Sequence, residues 1–223
     1  MKKLVGCLRL RGLVRVPNGG IRVGGNPPWL ENGGSTDFTA IRNPLNGEPY
    51  IPGSTLKGRL RAMLEKVEGK GREGGEPCNC GRKDCLVCLI FGAHKRPQAE
   101  SSPTRIIVRD CPLTEEARTK LRELEAEGKS LVEEKAESLV DRDKGTTEGP
   151  RWQERVWEAD FQMEILVHVY DGDEPVKMLE FVRRGLGLIQ EIGALGAGVS
   201  RGSGQVRFEN ISVDPMTLEN ITV

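Results

Sequence analysis

Leu8 and Leu10 alternate with Arg9 and Arg11, so residues 3–16 are predicted as a strand. Residues 54–67 carry Leu56, Leu60, Met63, Leu64 and Val67 at spacings of three and four, one face of a helix. Pro52-Gly53 breaks the preceding extended segment, and Ser54 is the expected N-cap. Residues 104–110 read as a second strand. Residues 114–127 read as a charged helix with Ala117, Leu121 and Leu124 inward, Thr114 as its cap and Gly128 as its stop. Residues 160–170 are the cleanest strand: Phe161, Met163, Ile165, Val167 and Val169 face one way, Gln162, Glu164 and His168 the other. A second amphipathic helix, 175–190, puts Leu179, Val182, Leu186 and Ile189 on one side, and a last strand, 205–213, carries Val206 and Phe208. The order strand–helix–strand, repeated, predicts an α+β sandwich of the split βαβ type.

Two stretches resist this pattern. Residues 17–36 hold Gly19-Gly20, Gly24-Gly25, Pro27-Pro28 and Gly33-Gly34, a loop long enough to be functional or disordered. Residues 133–158 mix charges with Gly145, Pro150, Trp152 and Trp157 and show no clear period.

Charge narrows the function classes. Lys+Arg and Asp+Glu are both 33, so binding to a polyanion needs local basic patches, not bulk charge. Charged residues reach 30% and aromatics only 4%, a composition seen in proteins of organisms that grow hot. No run of about 18 apolar residues is present, so no transmembrane helix is expected. The N-terminus lacks a signal-peptide core before Arg9, and a cytoplasmic location is expected.

Four of the six cysteines form Cys78-x-Cys80-x4-Cys85-x-x-Cys88. In a cytosolic chain this spacing reads as a closed, structural four-thiolate Zn2+ site in preference to uncoordinated thiols, with His94 near enough in sequence to replace one ligand. Cys7 and Cys111 sit in or beside strands and read as small apolar residues. The loop from Gly196 through Gly198, Ser200, Arg201 and Gly202 to Gly204 follows a helix and precedes a strand, the wrong order for a nucleotide-binding P-loop. It is either a flexible connection or a backbone nest presenting Arg201 to phosphate. At the first helix, Ser54, Lys57 and Arg61 are either a solvated face or a phosphate-binding start, since Lys57 and Arg61 lie four apart. Trp152 and Trp157, flanking Arg151 and Arg155, either stack on bases or cap a small core. Asp37 alone is an ordinary loop aspartate, and spacing alone names no active site.

The runs Ile51-Pro52-Gly53-Ser54-Thr55-Leu56-Lys57-Gly58-Arg59 and Leu195-Gly196 to Val206, with Ile41-Arg42-Asn43-Pro44, Ile107-Val108-Arg109-Asp110 and the stretch Val140 to Val156, resemble the RAMP superfamily of CRISPR effector proteins. The resemblance is nearer to the repeated backbone subunits of type III-A (Csm) complexes, and it spans nearly the whole chain. It implies a modified RRM-like, ferredoxin-like core with inserted lid and helical subdomains and a zinc-binding loop. It implies one domain over 1–223, with insertions at about 17–50 (lid), 68–103 (zinc loop) and 112–158 (helical and thumb segment).

By the same resemblance, copies stack into a filament along crRNA, beside other Csm subunits, and each cuts paired target RNA with Mg2+ or Mn2+. Asp37, by its place before Ile41-Arg42-Asn43-Pro44, matches the cleaving aspartate. Ser54, Lys57, Arg61, Arg22, Gly198, Ser200, Arg201 and Gly202 match RNA-contacting positions. Family members often carry a histidine where Ile21-Arg22-Val23-Gly24-Gly25 has Arg22. Arginine there keeps a phosphate-binding role and leaves proton transfer in question. Two other readings stand beside this one: a non-catalytic RNA-binding subunit of the same superfamily, and a stand-alone zinc-containing nucleic-acid-binding protein.

Overall fold

A computed structural model describes residues 2–17, 19–24, 38–138, 140–147 and 149–217. Three long strands and one short one make the central sheet: β1 (Leu4–Arg15), β2 (Ile106–Val108), β7 (Asp160–Tyr170) and β8 (Arg207–Thr217). Their order is β2-β7-β1-β8, and every neighbouring pair is antiparallel. Strand β7 lies between β1 and β2, so the first strand–helix–strand unit is split by the second, as in RRM-like and ferredoxin-like folds.

The register explains why the alternation was so clean. Leu10 pairs with Ile165 and Val14 with Phe161 on one face, while Arg11 pairs with Glu164 and Arg15 with Asp160 on the other. The apolar face is covered by α1 (Gly53–Val67) and α4 (Pro175–Ile192), whose Leu56, Leu60, Leu64, Met178, Val182 and Ile189 are fully buried. The opposite face is a lattice of cross-strand ion pairs. Arg15 meets Asp160 and Glu209, both at 3.0 Å, and Arg11 meets Glu164 at 3.4 Å. Each such exposed pair adds about 0.2–1 kcal/mol at most, but together they neutralise that face.

Between these core elements lie α2 (Leu86–Phe91), α3 (Glu115–Ala126) and a protruding ribbon. The ribbon comprises β3 (Val132–Glu137) paired with β6 (Arg151–Val156), and a small tip of β4 (Val140–Asp141) and β5 (Thr146–Thr147). The 133–158 stretch is therefore a two-stranded hairpin. Its period was hidden because both faces of β3 and β6 carry charged residues.

Thr114 caps α3 as expected, its Oγ1 accepting the Ala117 N–H at 3.1 Å. Ser54 does not cap α1. Pro52 holds the N-cap position, Ser54 is exposed within the first turn, and the Gly53 N–H donates to Asp110 Oδ1 at 2.7 Å. A carboxylate from the far end of β2 thus serves the helix start and its dipole. A Cβ on Gly53 would lie 2.2 Å from the Val108 carbonyl oxygen, so only glycine lets α1 begin this close to β2. Val67, expected inward, is 41% exposed, because α1 has by then run past its partners. Among the described residues no helix is long and apolar enough to cross a membrane.

One buried ion pair ties the sheet to the β7–α4 turn. Arg105, with no exposed surface, donates to both carboxylate oxygens of Asp173 at 2.9 Å and stacks 4.9 Å from the Tyr170 ring. Its guanidinium also reaches the carbonyls of Ser101 and Pro103. Burial raises the Asp173 pKa, but Arg105 and the Tyr170 N–H outweigh it and hold the carboxyl below its ordinary 3.8. The folded state therefore binds this proton less readily than the unfolded chain. The stabilisation is complete above about pH 4 and fades as pH falls through the lowered native value. Asp173→Ala should strand a buried guanidinium and cost about 3–5 kcal/mol at pH 7, read as a Tm lower by roughly 10 °C. The gap to the native chain should narrow below about pH 3.5 in the same melts.

Candidate functional site

The loop from Ala194 to Gly204 folds back against Arg22. The Arg22 carbonyl accepts the Ala197 N–H at 2.9 Å, and Gly20 accepts that of Gly204 at 2.8 Å. Gly198 and Gly202 flank a 3-10 turn, Val199–Arg201, with φ of 71° and 87°. A Cβ on Gly198 would lie 2.8 Å from Arg22 Nη1, so the glycine makes room for the guanidinium. The loop is thus an ordered cradle around Arg22, not a flexible connection. Arg201 and Ser200 are exposed on its turn.

Across from the cradle stands the ribbon. Phe38 to Arg42 bridges the two: the Phe38 N–H donates to Trp152 O, the Glu154 N–H to Phe38 O, and the Ile41 N–H to Val23 O. Glu154 accepts from the Ala40 N–H at 2.7 Å and from Arg42 at 3.2 Å. These contacts enclose a cleft of about 350 Å³ whose walls include Arg22, Phe38, Glu137, Arg151, Gln153 and Arg201. Arg22 is 8% exposed and sits 5.5 Å from the Phe38 ring. Burial lowers its basicity, and Arg201 and Arg155 add to this, while Glu137 opposes them. Arg201 Nη1 lies 2.8 Å from Glu137 Oε2, and Arg22 Nη1 lies 3.9 Å from the same oxygen. Asp37, bonded to Phe38, lies outside the described residues.

Arg155 and Trp157 are occupied within the chain. Glu133 Oε2 accepts from Arg155 and from Trp157 Nε1 at 2.5 Å, and Arg155 also reaches the Gly19 carbonyl. Trp157 therefore caps the ribbon's base and does not project as a stacking platform. Trp152, at 39% exposure, lies on the outer part of the ribbon.

The α1 positions do not line this cleft. Lys57 is half-buried, and it makes no hydrogen bond or ion pair among the described residues. Burial and then the neighbouring Arg61 lower its pKa from the ordinary lysine value. Arg61, expected beside it as a second strand-gripping cation, is instead spent within the chain. Its Nε donates to Glu65 and its Nη2 to the Cys78 carbonyl, both at 2.8 Å. Glu65 in turn accepts the Cys78 N–H at 2.8 Å, so α1 grips Cys78 by both backbone groups.

That grip serves the cysteine cluster. The Sγ atoms of Cys78, Cys80, Cys85 and Cys88 lie within 4.8 Å of one another. Cys80–Cys88 and Cys78–Cys88 are 3.7 and 3.6 Å apart, beside the roughly 3.8 Å edge of a tetrahedron with 2.3 Å metal–sulfur bonds. Burial, followed by the thiols around it, pushes the Cys88 pKa far up, and Cys85 likewise rises. At Cys80, burial is outweighed by the Arg82 N–H and the other three thiols, which bring it down to about 7. Four crowded sulfurs that resist joint ionisation are the donor set a soft divalent cation such as zinc satisfies. The His94 ring is not part of the cluster; its backbone N–H donates to Cys78 O at 3.2 Å. Cys111, buried elsewhere, is pushed up to about 12 by burial and then by Asp110.

The RAMP superfamily profile matches residues 15–207. The chain belongs to the RAMP superfamily. Two curated relatives carry the name CRISPR system Cms endoribonuclease Csm3. That of Methanocaldococcus jannaschii is 35% identical over 94% of this chain and 82% of its own length. That of Methanothermobacter thermautotrophicus is 36% identical over 90% and 83%. Among solved structures, the Csm3-Csm4 subcomplex of a type III-A CRISPR-Cas interference complex aligns with TM-score 0.62 at 25% identity, over 97% of this chain and 83% of that one. The crystal structure of Methanopyrus kandleri Csm3 shares the fold, with TM-score 0.62 at 21% identity over 97% and 79%. The recognised RAMP segments thus hold Arg22, Arg201 and the α1 face on a common scaffold. Glu137, Gln153 and Glu154 were missed, because isolated acids and amides in a charge-rich stretch carry no sequence signal of their own.

Elemental analysis of the purified chain should find about one thiolate-bound metal ion per molecule. Cys78→Ser with Cys88→Ser should abolish it and lower the Tm by about 10 °C or more; a metal-free native chain of unchanged Tm would refute the site.

Proposed function

We propose that this RAMP chain is a crRNA-binding backbone subunit of a type III-A CRISPR effector complex and cuts the target RNA paired to that guide. The observation that carries this is the convergence of Arg22 and Arg201 on a cleft walled by Phe38, the residue bonded to Asp37. Two guanidiniums with little competing bulk charge suit a phosphodiester backbone. The curated relatives named as endoribonucleases support the cleavage step.

Lys57 supplies a second contact. A half-buried ammonium without a carboxylate among the described residues is a cost that an incoming phosphate offsets. Ser54, exposed in the first turn of α1, lies one turn before it. Gly198, Ser200 and Gly202 let the strand approach the backbone of the cradle. Arg61, the second cation of the α1 face, also supports the cysteine loop through its bonds to Glu65 and Cys78. The four cysteines hold a structural zinc, which fixes the loop following α1.

The expected chemistry is attack by a ribose 2′-OH on the adjacent phosphate, leaving a cyclic phosphate and a 5′-hydroxyl. A divalent ion, Mg2+ or Mn2+, supplies charge neutralisation at the scissile phosphate when bound. Asp37 holds that ion or orients the 2′-OH, while Arg22 and Arg201 position the backbone on either side of the cleft. Copies of the chain line up along the guide with other subunits of the complex.

An assembled complex carrying Asp37→Ala should bind target RNA with unchanged affinity and stop cutting it in a gel-based cleavage assay. Undiminished cutting would remove Asp37 from the mechanism. Arg201→Ala should weaken single-stranded RNA binding and reduce the slope of log K against log salt by about 0.7, the share of one phosphate contact.

A further inference from the structure

Glu137 lies between Arg201 and Arg22 in the cleft. It projects from β3 into the cleft, is 15% exposed, and is surrounded by cations from three directions. Arg201 and Arg22 approach its Oε2 at 2.8 and 3.9 Å, Lys135 approaches its Oε1 at 3.5 Å, and Arg151 lies directly across the ladder. Despite these distances the fit is poor. Glu137 Oε2 and Arg22 Nη1 are both buried, and neither makes a well-directed hydrogen bond among the described residues. The attraction is therefore mainly Coulombic, with hydrogen-bonding capacity left unmet on both sides.

We infer that Glu137 is an internal stand-in for a backbone phosphate and determines which anions the cleft admits. This rests on the reading of the cleft as an RNA site. A phosphodiester carries the same single charge and, like a carboxylate, has two charged oxygens, but it can offer one to each guanidinium, whereas in the free chain both guanidiniums share Glu137 Oε2 and Lys135 takes Oε1. Entry of a phosphate must break the Glu137 contacts. A continuous strand offsets that loss through its other contacts, at Lys57 and along the cradle. A lone phosphate or mononucleotide has no such contacts and stays out. Glu137 thus excludes the small phosphorylated molecules that would otherwise fill a pocket with two arginines.

The test compares the native full-length chain with Glu137→Gln, which keeps the shape and removes the charge. Fluorescence anisotropy reports a labelled mixed-sequence single-stranded RNA, and calorimetry reports uridine monophosphate. Glu137→Gln should bind the RNA roughly three- to tenfold tighter, the range expected when a competing ion pair is removed, and should bind uridine monophosphate that the native chain leaves unbound; binding of the nucleotide by the native chain, or none by the variant, would overturn the inference. Arg201→Ala should then cost more in the Glu137→Gln background than in the native chain, because the freed guanidinium is fully available. Equal or weaker RNA binding by Glu137→Gln, with the metal content and Tm of the native chain, would overturn the inference and make Glu137 an organiser of the arginines. Should that variant melt early, Glu137→Asp, which draws the charge back by one methylene, must shift affinity in the same direction or the inference fails. If Arg22→Ala and Arg201→Ala leave RNA affinity unchanged, the RNA reading of the cleft falls, and this inference with it.

Discussion

Three carboxylates of the β3/β6 ribbon hold the functional end of the molecule together. Glu133 binds Arg155 and Trp157, and through Arg155 it reaches the Gly19 carbonyl, at the start of the glycine-rich segment. Glu154 holds the Ala40 amide and Arg42. Glu137 faces Arg201 and Arg22. A two-stranded ribbon has no core of its own and is marginal in water. Its base is held by backbone bonds to Ile21 and Phe38 and by the burial of Leu131 and Val156, and the charge-assisted contacts add to these along the cleft. The walls of the site thus rest on electrostatics together with backbone pairing, whereas the platform beneath is set by hydrophobic packing.

The platform has its own joints. The split βαβ arrangement puts β7 between β1 and β2, so the chain leaves and re-enters the sheet with long excursions between core strands. Two of these returns are locked by charge. Arg105, fully buried, and Asp173, nearly so, fasten β2 to the β7–α4 turn. Asp110, just past β2, takes the first N–H of α1. Arg61 and Glu65 then pass that order from α1 into the cysteine loop through both backbone groups of Cys78. A helix that covers the sheet with one face therefore supports the cysteine loop with another and leaves Lys57 half-buried without an ion pair among the described residues.

Legibility from sequence follows the same division. Where burial on one face dictates the pattern, as in β1, β7, α1 and α4, period and register were plain. The cysteine spacing was equally plain, because four sulfurs around one small loop permit little else. The ribbon was not legible: Val132-Glu133-Glu134-Lys135-Ala136-Glu137 is polar on both faces, and its strand pairing is fixed by partners two dozen residues away or fewer on β6. The α1 cap was misassigned to Ser54 because a local hydroxyl is visible in sequence and a carboxylate 57 positions on, Asp110, is not. Arg61 pairs with Glu65, four residues on in the same helix, and with the Cys78 carbonyl 17 positions on, a partner the sequence does not show. Arg22 and Arg201 were recognised singly, but nothing in the chain order announced that they share one cleft, or that Glu137 comes between them.

Equal numbers of acids and bases give this chain no bulk attraction for a polyanion, so its affinity must come from a few cations placed together. Placing them together is itself unfavourable. Arg22, Arg201 and Arg151 line one partly buried cleft, with Lys135 beside Glu137, and their mutual repulsion would work against the closed cleft if no anion stood among them. A carboxylate from the ribbon answers that problem in the free chain. The open lattice on the other face of the sheet shows the alternative, in which Arg9, Arg11, Arg15 and Arg109 meet Glu164, Asp214, Asp160 and Glu209, four cations to four acids. Arg22, Arg151 and Arg201 outnumber Glu137 and Glu154 in the lining of the cleft, and under the proposed function that surplus is the attraction left for RNA. Stability without a ligand and affinity for one are therefore set against each other at the same oxygen atoms.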